Sequence, residues 1–290
     1  MRLEKKATVV STSVAALLVV IKMVVGVLSG SIAILASAID SFLDLIVSLF
    51  NYFALSNAEK GPDDKFHYGR NKIEPLAAVF EGIVISFSAL FILYEAFVKI
   101  YHPREMAYMS ESIGVMVISI IITAALVYFL NYVAKKTNNM VIRADALHYK
   151  TDLFSNGAIL FALGLIALTG EELIDPILGI LIAIYMIYSA YPIIKEGLMM
   201  LLDAALSEEE VEKITKAIES EPLANSYHDL RTRSSGSVVF INVHVVFNDK
   251  ISLVDAHEVT DSLEVKFENC FLDKQVVSLI HMDPYDDSKH

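Results

Sequence analysis

Six stretches of this chain are so long and so apolar that a lipid solvent is the natural surrounding for them. They lie near residues 8–29, 32–55, 74–100, 111–134, 142–169 and 176–200. Each supplies the ~20 residues that a helix needs to cross a bilayer. No period-two alternation of apolar and polar residues runs through them, which argues against a membrane β-barrel. The first block follows "MRLEKK" and has no small-residue cleavage site behind a short apolar core, so it reads as a retained anchor and not a signal peptide. Hydrophobic residues make up 55% of the 290, well above the share of an ordinary soluble domain. The net charge of −12 excludes the basic footprint that nucleic acid requires and directs attention to cations. The single cysteine, Cys270, leaves no intrachain disulfide and no cysteine-rich metal site. It reads as a small buried hydrophobe.

Basic residues set the expected orientation. Arg2, Lys5 and Lys6 precede the first block, Lys60, Lys65, Arg70 and Lys72 follow the second, and Lys135, Lys136 and Arg143 separate the fourth from the fifth. The opposite connections hold only Lys99 and Arg104 on one, and Glu171, Glu172 and Asp175 on the other. Both termini are therefore expected in the cytoplasm. The chain has no Trp, so tyrosines such as Tyr101, Tyr108 and Tyr191 are expected to anchor the interfaces. From Ala204 the composition becomes that of a soluble domain, which divides the chain into 1–203 and 204–290. In "SEEEVEKITKAIES", Ser207 stands three residues before Glu210, a capping-box start for a helix. "YHDLRTRSSGSVVFINVHVVF" reads as two strands joined at Ser234-Ser235-Gly236, "SLVDAHEVTDSLEVKFENCF" as an amphipathic helix and "QVVSLIHMDP" as a final strand. The order αββαβ suits a small sheet with helices on one face.

Two carboxylates interrupt the second block: "SAIDSFLDLI" carries Asp40 and Asp44 four residues apart, on one helix face. A charge at mid-bilayer costs at least ~2.5–3.5 kcal/mol, so such residues call for a functional explanation. The fifth block repeats the spacing with His148 and Asp152 in "ALHYKTDLFSNG". Two helices with two ligands each enclose a cage of three carboxylates and one imidazole, a donor set suited to four-coordinate zinc. Metal ligands must be deprotonated, so metal entry expels protons and one site serves two competing ions. An imidazole favours zinc, cadmium, cobalt or ferrous iron over manganese. The alternative is a set of structural ion pairs or cavity-lining polar groups. Lys22 reads as a snorkelling or acid-paired lysine, and Glu81 as a partner of Lys22, a proton relay or a cavity-facing acid. In the last segment, His228 precedes the first strand and His244 lies in the second. His257 and Asp261 share a helix face, and His281 and Asp283 share a strand face. Five of the chain's 8 histidines fall here, the terminal His290 among them, and the cluster points to metal binding.

Taken together, "AIDSFLDL", "YGRNKIEPLAA", "RADALHYKTDLFSNGAIL", "LLDAAL", "HDLRTRSSG" and "IHMDP" resemble the cation diffusion facilitator family, close to its bacterial zinc and ferrous-iron efflux branch. The resemblance implies a membrane domain of six helices and a cytoplasmic α+β domain, metallochaperone- and ferredoxin-like, in a homodimer of the bacterial cytoplasmic membrane. It assigns Asp40, Asp44, His148 and Asp152 to a transport site, and His228, His244, His257, His281 and Asp283 to a binuclear site bridged by Asp283. It also makes Lys72 and Asp203 a helix-interlocking charge pair. The loop "DDKFHYGRNK" departs from the family's Asp-Asp-x-His-x-Phe-Gly-His pattern, with Phe66 and Arg70 at the histidine positions. Asp63, Asp64 and His67 remain for an improvised weak site there, and the family's regulatory loop metal is expected to be absent.

The resemblance implies export of a divalent metal, zinc first and ferrous iron or cadmium next, against a counter-flow of protons. The competing expectation is a membrane-anchored metal sensor or scaffold that does not transport. Within transport, manganese or iron as the main substrate stays open. No His-Glu-x-x-His pattern or nucleophile–base pattern supports an enzyme.

Overall fold

Six long helices follow one another in the first two thirds of the chain: α1 (Leu3–Ser29), α2 (Ile32–Ala58), α3 (Ile73–Tyr101), α4 (Ser110–Thr137), α5 (Met140–Thr169) and α6 (Ile174–Leu201). The computed structural model describes residues 2–30, 32–101, 110–169, 171 and 173–286. Arg104, Tyr108, Glu172 and His290 lie outside the described residues. The chain divides into two units, Met1–Leu198 and Met199–His290.

Among the described residues, five segments are long and apolar enough to cross a membrane: Leu3–Leu28, Ser37–Ala58, Ile73–Tyr101, Ile113–Thr137 and Ile174–Leu201. The sixth expected span coincides with α5, which carries Arg143, Asp145, His148, Lys150 and Asp152 in its first half. Helices are the form that hydrocarbon dictates, because each segment satisfies its own backbone hydrogen bonds there. Gly30 ends α1 at φ 67°, a left-handed conformation that costs glycine little, and the chain turns back into α2. The α4–α5 hairpin packs Leu126, Leu130 and Val133 against Ile142, Ala146 and Tyr149, with Ala7 of α1 completing the cluster.

Helices α3 and α6 approach closely through two glycines. A Cβ on Gly197 would lie 2.5 Å from Val79 Cγ2 and 3.1 Å from the Pro75 carbonyl oxygen. One on Gly82 would lie 2.6 Å from Ile194 Cγ1. Polar clamps hold the helix ends: Lys99 Nζ donates to Asp175 Oδ2 at 2.7 Å, and Arg143 forks onto both Glu196 oxygens at 2.8 and 2.9 Å. Buried Glu74 of α3 accepts from the Met140 backbone N–H at 3.0 Å. It thereby satisfies one of the orphan donors at the start of α5.

The second unit folds as α7 (Glu208–Glu219), β1 (Ser226–Ser235), β2 (Val238–Val246), α8 (Leu253–Cys270) and β3 (Gln275–Asp283), the αββαβ order expected. The sheet runs β1-β2-β3, antiparallel across the first pair and parallel across the second. Ser207 and Glu210 form the capping box that the sequence pattern predicts. Val239, Ile241, Val243 and Val245 alternate along β2 and all enter one core with Ile214, Ile218, Leu263 and Phe267 of the two helices. Period two therefore leaves Asn242 and His244 on the opposite face. After α6, Asp203 adopts φ 57° and accepts from Arg233 Nη1 at 3.1 Å. The Leu206 N–H donates to Thr232 Oγ1 at 3.2 Å, so the start of this unit is tied to β1. Burial would raise the carboxyl of Glu221, but Lys266 Nζ at 2.6 Å and the Ser262 hydroxyl outweigh it and hold that carboxyl below its usual range.

Two outcomes follow from this packing. Gly197→Ala should lower stability by about 1–3 kcal/mol through overpacking, read as a lower melting temperature in detergent. Gly164→Ala, with nothing within 4 Å of its Cβ, should not lower it. Because the Glu221 carboxyl is depressed in the folded state, its contribution is present above the unfolded value of about 4.3 and lost as pH falls through the folded one. Acid titration of the unit's unfolding should therefore show a shallower low-pH limb in Glu221→Gln.

Candidate functional site

In the first unit, α2 and α5 bring Asp44, His148 and Asp152 together, with one ligand atom of each within 4.8 Å of the others. His148 Nε2 lies 3.3 Å from Asp44 Oδ1 and 3.7 Å from Asp152 Oδ2. The i,i+4 spacing of His148 and Asp152 does on one helix what the spacing was expected to do. Neighbours brace the site: Ser48 of α2 and Tyr149 of α5 share a hydrogen bond of 2.7 Å in the adjacent buried layer. Two carboxylates and an imidazole around one point form a donor set for a divalent cation of borderline softness.

Asp40, expected as the fourth member, is not in this group. It is exposed, one helical turn from Asp44. The two aspartates share a face of α2 and differ in height along it: Asp44 lies beside His148, and Asp40 is one helical turn away. Lys22 of α1, buried to 7% exposure, donates to Ser41 Oγ at 2.7 Å and to the Ser37 carbonyl at 3.4 Å. It lies within electrostatic reach of Asp44, Asp40 and Asp152. Of the three roles left open for Glu81, pairing with Lys22 is not what forms. Glu81 Oε2 accepts from Asn51 Nδ2 at 3.0 Å, and the same nitrogen reaches Asp145 Oδ1 at 3.4 Å. Asp145 and Asn51 carry only a weak signal in the sequence: polar residues one turn (Asp145 to His148) or two turns (Asp44 to Asn51) from a ligand on the same helix.

The second unit lines up three imidazoles. His228, His244 and His281 occupy one cross-strand row, His228 opposite His244 and His244 beside His281. Their ring centroids are 4.9 and 4.6 Å apart. A bulge between His228 and Arg231, with Asp229 at φ 51°, ends the regular pairing just beside the first of them. Asp283 gathers the row: its Oδ2 lies 3.1 Å from His228 Nε2 and 2.9 Å from His244 Nδ1, and its Oδ1 lies 3.1 Å from His281 Nε2. His257, the fifth expected member, stays on α8. It is exposed there, with Asp261 at 3.8 Å, because α8 packs on the other face of the sheet.

The remaining expected residues lie elsewhere. Lys72 is in the turn that leads into α3, and Asp203 is in the turn after α6. In the loop after α2, Asp63 accepts from the backbone N–H groups of Lys65 and Phe66 and from the Arg70 guanidinium, which also covers the Phe66 ring at 4.3 Å. These backbone donors, together with Arg70, hold the Asp63 carboxyl below its ordinary range. Asp63 is thus committed to the turn, and among the described residues Asp63, Asp64 and His67 do not form a metal-sized cluster.

Residues 8–202 match the cation efflux transmembrane domain family, and residues 206–285 match the family of cation efflux protein cytoplasmic domains. The cation-efflux pump FieF of Salmonella paratyphi A is 38% identical over 283 residues, covering 98% of this chain and 93% of that protein. FieF of Salmonella choleraesuis is similar to the same extent, 38% over 283 residues. A solved chain of CzrB in its zinc form is 29% identical, covering 30% of this chain and 94% of that one, with a TM-score of 0.25.

Asp283 is the residue on which the sheet cluster turns. Asp283→Ala should weaken metal binding by the second unit by about 10–100-fold or more, whereas His257→Ala should change the protomer's affinity little. Calorimetric titration of both variants with zinc checks this.

Proposed function

The chain belongs to the cation diffusion facilitator family of cation-efflux proteins, and from that membership we propose that it exports a divalent metal from the cytoplasm in exchange for protons. The observation that carries the proposal is the cluster of Asp44, His148 and Asp152 at the contact of α2 with α5, within the helical membrane unit. Uncompensated charge at that depth is costly, so the cluster is stable only when a cation shares it. Protons fill that role when metal is absent, and an arriving metal displaces them. Asp40, one turn away on α2, is the fourth ligand of the metal-loaded cage, reached by a small movement of that helix.

The metal is the substrate. An imidazole beside carboxylates favours zinc first, with ferrous iron and cadmium next, and leaves manganese to sites richer in oxygen. His228, His244, His281 and Asp283 hold a resident metal in the second unit. Three imidazoles and a carboxylate converge there, a donor set that fits zinc. Such a metal supplies local cross-linking of the three strands. The exposed Val277 and Leu279 of β3 support assembly of two copies through this unit. The excess of Lys and Arg in alternate connections supports cytoplasmic termini in a bacterial inner membrane. A sensor or scaffold without transport would need only the sheet cluster, and the buried cage has no part in it.

Proteoliposomes with a pH-sensitive dye inside test the reading. Adding zinc, ferrous iron, cadmium or manganese in turn should drive proton movement with zinc most effective, and Asp44→Ala/Asp152→Ala should reduce it to the level of protein-free vesicles. Metal binding with no flux of either ion would favour the sensor.

A further inference from the structure

Behind the metal cage lies a second polar cluster that the cage does not use. Glu81 of α3, Asp145 of α5 and Asn51 of α2 are all fully buried, each with 0% exposure. A single amide nitrogen, Asn51 Nδ2, serves both carboxylates, at 3.0 Å to Glu81 and 3.4 Å to Asp145. Glu81 Oε1, Asp145 Oδ2 and Asn51 Oδ1 are buried acceptors with no donor. The charged and titratable groups that act on the pair are His148, Tyr149 and Asp152 of α5 and Asp44 of α2. From α1 the Ser11 hydroxyl approaches Asp145, but it donates to the Thr8 carbonyl at 3.1 Å.

Two carboxylate charges cannot share a dry site with one amide. Taking each ion out of water is costly, and the two repel. What the cluster lacks is a donor, and a proton on one carboxyl provides it: the O–H then points at one of the bare acceptors. A metal ion fits less well, because the amide N–H2 group, positive at its surface, already faces both carboxylates. Each carboxylate has one contact from the Asn51 amide and one bare oxygen, so the pair shares the proton.

We propose that Glu81 and Asp145 form a buried proton-binding site, built on Asn51 and separate from the metal cage, that carries a counter-proton of the exchange. This rests on the antiport reading given above. His148 and Asp152 stand between the two sites electrostatically, so a metal in the cage and a proton on the pair compete through charge without sharing a ligand. The site is drawn from α2, α3 and α5, and a relative movement of α3 against α2 and α5 would alter its hold on the proton.

The test has two arms. Infrared spectra of the metal-free protein at neutral pH should show a deuterium-sensitive C=O stretch of a protonated carboxyl. That band should be missing in Glu81→Gln, an isosteric change that keeps a partner for Asn51, and shifted or missing in Asp145→Asn. In proteoliposomes, Glu81→Gln should still bind metal at the cage, with an affinity that depends less steeply on pH, while moving fewer protons per metal. A band that persists in both variants, or a proton-to-metal ratio equal to wild type, overturns the proposal, as does the loss of one bound metal with no change in the band. A wild type that moves metal without protons sinks the antiport reading and the coupling role together, while the band still decides whether the pair holds a proton.

Discussion

Hydrocarbon dissolves neither charges nor unpaired backbone groups, and the membrane unit is organised around that fact. The backbone responds by forming helices of 27 to 30 residues. The side chains respond by gathering. Asp44, His148 and Asp152 meet at the contact of α2 with α5, Lys22 turns its ammonium onto Ser41 and the Ser37 carbonyl, and Glu81 and Asp145 share Asn51. None of these groups is tolerable alone at that depth. Their placement gives a membrane protein of this kind its affinity for cations, since an acid cluster short of positive charge attracts whatever cation can reach it.

The second unit meets a different solvent and uses different means. One face of its sheet is covered by α7 and α8, and the alternation of β2 sends Val239, Ile241, Val243 and Val245 to that face. His244 is thereby sent to the other. The strand register then sets His228 and His281 beside it, and Asp283, two residues further along β3, turns back onto all three. A cluster of three imidazoles and a carboxylate emerges from strand pairing, with the core providing the rigidity. The membrane cluster gets its rigidity from helix packing, including the close α3–α6 approach through Gly82 and Gly197.

Comparison of expectation and structure separates local from distant causes. Spacing within one element was legible: His148 with Asp152, Ser207 with Glu210, His281 with Asp283. Partners on other elements were not. Asp40 and Asp44 are equivalent on paper, yet only Asp44 meets His148 of α5. His257 looked like one more histidine of a cluster until α8 placed it across the sheet from the others. Asn51 and Asp145 carried no pattern of their own, and their importance appears only where α2, α3 and α5 converge.

Sequence alone determined the apolar spans, the αββαβ order of the second unit, the family and the departure in the loop, where Arg70 stands against Asp63. Those features depend on residue type and on neighbours close along the chain, which a one-dimensional reading contains. Tertiary structure decided which acids meet which partners: Asp44 with His148, Glu81 with Asn51 instead of Lys22, Asp283 with three imidazoles. Those choices depend on how each helix rotates and how each strand registers against another, and both are settled by the packing of side chains far apart in sequence.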